Sequence, residues 1–225
     1  MLPTHAGQRV GAATVPYHAC PMTTALAIDI GGTKFEVAPV GYDGGITNRQ
    51  RVSSTDATDG DELFARLIGL IERVDCRALD VCGVGAGGPM RPGGVAISPL
   101  NIPAWRDYPL HQRLVDATGL PVAIDNDAKA LALAEGWRGA AVGETDFVAM
   151  VVSTGVGGGI VLDGRLLDGA AGNAGHIGHL VVEPEGTELP GHIRGVLEAE
   201  ASGTAIAFRT GAPAAEAGPA EIERA

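Results

Sequence analysis

The sequence predicts an α/β protein made of two related lobes. Three observations predict it. Short apolar runs ending in glycine alternate with helix-period segments. The order strand, turn, strand opens near residue 25 and begins again near residue 146. The 34 glycines among 225 residues cluster at 31–32, 83–88, 155–159 and 169–178. Clustered glycines mark tight loops where backbone comes close to a ligand, not a linker.

The elements follow in order. Leu26 to Ile30 is an apolar run interrupted by Asp29 and stopped by Gly31-Gly32, a buried strand entering a turn. Phe35 to Val40 is the next strand, with a hairpin turn over Gly41-Tyr42-Asp43-Gly44-Gly45. Asp61 to Val74 puts Leu63, Phe64, Leu67, Ile68, Ile71 and Val74 on one helical face. Asp80 to Gly85 is a strand feeding a glycine loop. Trp105 to Thr118 holds a helix closed by Gly119 and Pro121. Val122 to Ile124 is a strand and Asp127 to Trp137 an Ala/Leu-rich helix. Phe147 to Val152 is a strand entering a second glycine-rich loop, Thr154 to Gly159, and Ile160 to Leu162 is its partner. Residues 210–225, rich in Ala, Pro, Glu and Gly, read as a frayed tail. Residues 1–22 show no period and read as a disordered or mis-assigned extension, with Met22 the working start.

Composition narrows the function. Apolar residues are 45% and charged residues 19%, as in a globular protein. A net charge of −11 gives no basic face for nucleic acid. No apolar run reaches the ~20 residues of a membrane span, and the N-terminus lacks the apolar core of a signal peptide. Cys20, Cys76 and Cys82 form no CxxC pair and read as reduced thiols of a cytoplasmic protein.

Asp29-Ile30-Gly31-Gly32-Thr33-Lys34 sets a carboxylate at a strand end before two glycines, a hydroxyl and a cation. Backbone N–H groups at the glycines can face phosphate, Thr33 can donate, Lys34 can offset charge, and Asp29 can hold Mg²⁺. It is not a Walker A loop, because a strand follows. Thr154-Gly155-Val156-Gly157-Gly158 repeats the arrangement in the second lobe. Either turn alone is an ordinary hairpin; two in related lobes predict a grip on a nucleotide triphosphate. Asn126-Asp127 stands where a strand passes into a helix. These residue types commonly cap helices, and a carboxylate there can also act as a base.

These motifs, in this order, resemble the ROK (repressor, open reading frame, kinase) family of sugar kinases and repressors, over residues 24–209. Gly83 to Pro89 resembles its sugar-side glycine loop, which includes Gly87 and Gly88. Asn101-Ile102-Pro103-Ala104-Trp105 resembles its Asn-Leu-Pro-Gly-Trp segment, with Ala104 replacing Gly. Asn126-Asp127 matches the pair that supplies the base. Ala174 to His179 matches Ala-Gly-Glu-Ile-Gly-His, and Leu197-Glu198 matches the Leu-Glu with a sugar-binding carboxylate. The resemblance implies an actin-like (ribonuclease H-like) ATPase fold whose second lobe is incomplete. Residues 23–125 would form the N-terminal lobe and 126–209 a partial C-terminal lobe with the sugar site. It implies ATP and Mg²⁺ as cofactors, Asp127 as general base, and Asn101, Asn126, His176, His179 and Glu198 as contacts to a hexose or N-acetylhexosamine. A homodimer is compatible with it.

The chain departs from the pattern. His176 replaces Glu, so the position can donate as well as accept and the preference for a hydroxyl or an N-acetyl group differs. Residues 188–196 hold no cysteine, so no cysteine zinc site is expected. Lys129 replaces a frequent Asn, on a face turned from Asp127. Two other readings follow. One is a non-catalytic sugar-binding remnant. The other is a sugar-responsive regulator without its DNA-binding domain, disfavoured by the short stretch before the first strand and by the acidity.

Overall fold

A computed structural model describes residues 24–218 apart from Thr58. The expected extension 1–22 lies outside the described residues. The first five strands are β1 (Ala25–Ile30), β2 (Lys34–Val40), β3 (Gln50–Ser53), β4 (Val81–Ala86) and β5 (Val122–Asn126). They form one sheet in the order β3-β2-β1-β4-β5. β1 pairs antiparallel with β2 and parallel with β4, and β4 pairs parallel with β5. The register sets Asp29 beside Gly85, and Gly85 beside Asp125. β3 is polar and short and carries no apolar alternation, so no periodic signal marks it along the chain.

Period-2 alternation divides this sheet. Leu26, Ile28 and Ile30, with Cys82, Val84, Ala86 and Ile124, are buried on one face. Helices α1 (Gly60–Ile71) and α2 (Leu110–Thr118) bring Leu63, Leu67, Leu70, Leu110 and Leu114 to that face. Asp59 caps α1 by accepting from Asp61 N. The helix expected from Trp105 begins only at Leu110, after Pro109. Trp105 sits instead in a turn, fully buried. It stacks between Phe35, at 5.3 Å, and Tyr108, at 4.8 Å, and its Nε1 donates to Gly60 O. Its apolar bulk serves the core and not a helical face.

The second sheet is antiparallel, in the order β6 (Phe147–Val152), β7 (Val156–Leu162), β8 (Arg165–Leu166). Helix α3 (Asp127–Arg138) packs across β7 and β6. The expected glycine loop 154–159 is therefore corrected: the turn is only Ser153–Gly155, and Gly157, Gly158 and Gly159 lie inside β7. Packing requires them there. A Cβ on Gly157 would meet Ala128 Cβ at 2.8 Å, one on Gly159 would meet Ala132 Cβ at 2.5 Å, and one on Gly158 would meet Ile177 Cδ1 at 2.7 Å. The strand is pressed between α3 and the 175–177 segment.

Helices α4 (Leu197–Ala201) and α5 (Gly203–Thr210) enclose a small core of Leu189, Val196, Ala199 and Ala205. The described part of the expected tail, residues 211–218, holds no helix or strand but is not without contacts. Thr210 ends α5, and Glu216 and Ala217 donate to Pro213 O in a turn that lies against Gly203.

Candidate active site

The first glycine turn is braced from three sides. Gly31 N donates to Lys34 O, Ser54 N to Thr33 O, and the buried Ser54 hydroxyl to Gly31 O. The Asn101 side chain lies so close on Gly32 that no Cβ fits there, and Asn101 Oδ1 also approaches Gly87. Arg106 spans the loop on either side of Asn101, its Nη1 2.8 Å from each of the carbonyl oxygens of Pro99, Ile102 and Trp105. Lys34 is already engaged, with Nζ 2.7 Å from Glu36 Oε1.

Asp29 and Asp127 line one hollow of about 570 Å³ on the less covered face of the first sheet, with Glu36, Gly85 and Asp125. Loss of surrounding water there, then the Asp127 and Glu36 carboxylates, push the Asp29 carboxyl above the ordinary range, while Lys34 pulls it back. Asp127 opens α3 where β5 ends. Asn126 is the N-cap, its Oδ1 accepting from Ala128 N at 3.0 Å; Asp127 Oδ1 accepts from the same N–H at 2.8 Å. Cap and candidate base are thus adjacent residues. The helix start lies against β4 at Gly85, where a Cβ would stand in ordinary contact with Asp127 Cα at 3.6 Å.

His176 comes in from the segment after β8, its ring close to Gly88 and 6.2 Å from that of His179. Burial, then His179 and Lys129, hold its imidazole below the usual histidine range, against the pull of Asp127 and Asp125. Gly87, Gly88, Asn101, Asn126, Asp127, His176 and His179 therefore lie on elements that converge at the C-terminal ends of β4 and β5. Glu198 sits differently. Its Oε2 accepts from Val156 N at 2.7 Å and crowds Gly155, and its Oε1 lies 2.9 Å from His192 Nε2. Its carboxylate buttresses the second turn.

Thr154 does not line the hollow of Asp29 and Asp127. With Ser153 it borders a second hollow of about 870 Å³ formed with α5 and residues 211–215. Gly203 N and Thr204 N donate to the carbonyls of Ser153 and Thr154, so the turn is anchored on the α5 start. Of the second glycine motif, Thr154 borders this hollow, Gly155 lies under the Glu198 carboxylate, and Val156, Gly157 and Gly158 belong to β7.

Sequence reasoning placed Lys129 on a face turned from Asp127 and did not foresee its partners. Its side chain is 2% exposed and reaches Asp125 Oδ1 at 2.8 Å and Asp168 Oδ1 at 2.6 Å. The i,i+4 spacing from Asp125 was a usable signal; the partner after β8 was not. Arg106 was missed because its partners are backbone carbonyls, and the pairing of His192 with Glu198 on α4 was not foreseen.

A family model for the ROK family matches residues 25–225. An N-acetylmannosamine kinase of Citrobacter koseri is 42% identical over 185 residues, 82% of this chain and 63% of that protein. A glucokinase of Thermotoga maritima is 38% identical over 189 residues, 83% and 59% of the two chains. Among solved structures, a ROK glucokinase of Streptomyces griseus in complex with glucose and AMPPNP superposes with a TM-score of 0.72 at 29% identity, over 83% of this chain and 60% of that one. The chain thus spans about 60% of the length of these relatives. The fold is the actin-like ATPase fold, with the second lobe represented by three strands among the described residues. No helix among the described residues is long and apolar enough to cross a membrane. By sequence match and by superposition, the chain belongs to the ROK family.

Proposed function

We propose that this protein transfers the γ-phosphoryl group of ATP to a hydroxyl of a hexose or N-acetylhexosamine, with Asp127 as general base. The observation that carries this reading is the placement of Asp127: at the start of α3, in one hollow with Asp29, beside the elements bearing Asn101, Gly88 and His176. A sugar hydroxyl is a weak nucleophile until a carboxylate within hydrogen-bond reach takes its proton as the bond to phosphorus forms. Asp127 Oδ1 is occupied by Ala128 N, which orients the group; Oδ2 takes no partner among the described residues.

Around the acceptor, Asn101 and His179 supply polar contacts. His176 both donates and accepts in its neutral form, which suits a carbonyl as well as a hydroxyl. Relatives named for N-acetylmannosamine and for glucose bracket the substrate class. Asn126 holds the helix start, and Glu198 acts through the Gly155 turn. Thr33 and the N–H group of Gly32, with Thr154 in the second turn, would face the phosphates, while the Gly31 N–H, bonded to Lys34 O, keeps the first turn closed.

The donor set suits Mg²⁺. Asp29 and Asp127 share one hollow, and a hard cation that keeps most of its waters needs only one or two carboxylates. Asp29 would hold the ion, which neutralises charge on the transferring phosphates.

The test measures ADP release from ATP-Mg²⁺ across a panel of hexoses and N-acetylhexosamines. Asp127→Asn keeps the acceptor for Ala128 N and lowers kcat by roughly 10²–10⁴-fold without unfolding the chain. Near-normal turnover by that variant removes Asp127 from the role. A second reading, a sugar-binding remnant without turnover, is favoured by Thr154 bordering a different hollow from Asp127. Sugar binding without ADP release selects it.

A further inference from the structure

We propose that Lys129 is a positioning residue, a buried cation that ties the segment carrying His176 to the start of α3. The inference deepens the reading of Asp127 and His176 as one acceptor site, and its chief readouts do not require turnover.

The tie is continuous in the structure. Lys129 Nζ joins Asp125, at the end of β5, to Asp168, the second residue after β8. Asp168 closes a loop on itself, its carbonyl accepting from Ala174 N at 3.1 Å. The next residue, Gly175, has φ +91° and lies flush on β7, where a Cβ would meet Gly158 O at 2.5 Å. His176 follows at once. The loop 168–174 therefore has one side-chain anchor on the α3 side and one backbone seat on β7, and together they fix where the imidazole stands.

The asymmetry of burial supports a positioning role over a merely stabilising one. Lys129 is 2% exposed, whereas the side chains of Asp125 and Asp168 are 37% and 68% exposed. Burying an ammonium costs free energy that half-exposed carboxylates recover only in part. An apolar side chain of similar length would fill the space as well, so the charge is needed for the tie. It is also one of the charges around His176, which faces His179 on its own segment, Lys129 and Asp127 on α3, and Asp125 on β5.

The test uses the full chain and two variants. Lys129→Met preserves packing and removes the cation; its former partners are exposed enough to hydrate, so the variant folds. Asp168→Asn keeps the cation and weakens only the loop end. In both, amide exchange at Ala174 and in 175–177 accelerates by about tenfold or more, while β1 and β4 amides are unchanged. The His176 titration, followed by NMR and assigned with His176→Gln, separates the two. Lys129→Met raises its midpoint, because a repelling cation is gone; Asp168→Asn does not raise it. If the kinase reading holds, the KM for sugar rises in both variants more than kcat falls. Unchanged exchange in both variants, or equal titration shifts in both, overturns the proposal. Absence of turnover in the wild-type chain, with the exchange and titration results intact, would count against the kinase reading alone.

Discussion

The two sheets begin alike and end differently. β1-β2-β3 and β6-β7-β8 are both antiparallel meanders with a glycine turn after the first strand. In the first sheet, β1 is flanked on both sides, by β2 and by β4. In the second, β6 has a neighbour on one side only among the described residues. The consequence is visible in exposure. Leu26, Ile28 and Ile30 of β1 are at most 3% exposed, whereas Val148, Met150 and Val152 of β6 are 51–59% exposed. The same strand pattern gives a core strand in one place and an open apolar edge in the other. Neighbours decide burial, not the residues alone.

The largest effect should come from the first core. Trp105→Ala removes a fully buried ring stacked on Phe35 and Tyr108 and its bond to Gly60 O, costing about 3–5 kcal/mol in denaturant unfolding. A cost near zero would mean that the first sheet does not dominate stability.

The glycines sharpen the contrast next. Gly159→Ala in β7 drives a methyl into Ala132 and the α3 backbone and should cost about 1–3 kcal/mol. Gly83→Ala in β4 meets nothing within 4 Å and should be neutral or mildly stabilising. Equal effects at the two positions would show that β7 is not pressed against α3 as described.

The open edge supplies a smaller test. Met150→Lys places a charge on β6, and sedimentation velocity should show less self-association than for the wild-type chain, with the unfolding midpoint little changed. Loss of folded protein instead would mean that Met150 is covered.

The smallest effect concerns pH. Asp29 has a raised carboxyl pKa in the fold, so folding favours its protonated form. Its contribution is full below the unfolded value and is lost as pH rises through the folded value. Asp29→Asn should therefore raise the Tm slightly at neutral pH, with the gain shrinking as the pH falls into the ordinary carboxylate range. A gain that persists at low pH would point to packing, not charge.

Much of this molecule is readable along the chain. Strands β1, β4 and β6 are apolar runs stopped by glycine, and α1 and α3 carry a helical period or a helix-forming composition with a capping residue in front. Asp127 was legible as a candidate because Asn126-Asp127, at a strand-to-helix junction that would equally suit a cap, matches the pair that the family resemblance assigns to the base. Other parts were not. Gly157, Gly158 and Gly159 read as a loop, since nothing local tells a flexible glycine from one that makes room for Ala128, Ile177 and Ala132. Trp105 read as helical because an apolar residue before an amphipathic stretch fits that period. Lys129 read only as a departure turned from Asp127, and its burial stayed hidden because its second partner lies 39 residues away.

The sequence alone determined the alternation of elements, the two glycine turns, and the acid at the head of α3. These depend on backbone preferences and hydrophobic period, which act over a few residues. Only the tertiary structure decided which glycines stand in turns and which face a helix, that Glu198 braces a turn, and that a lysine is buried between two aspartates. Those outcomes depend on which distant surfaces meet, and contact across the fold is settled by packing that no short stretch of chain encodes.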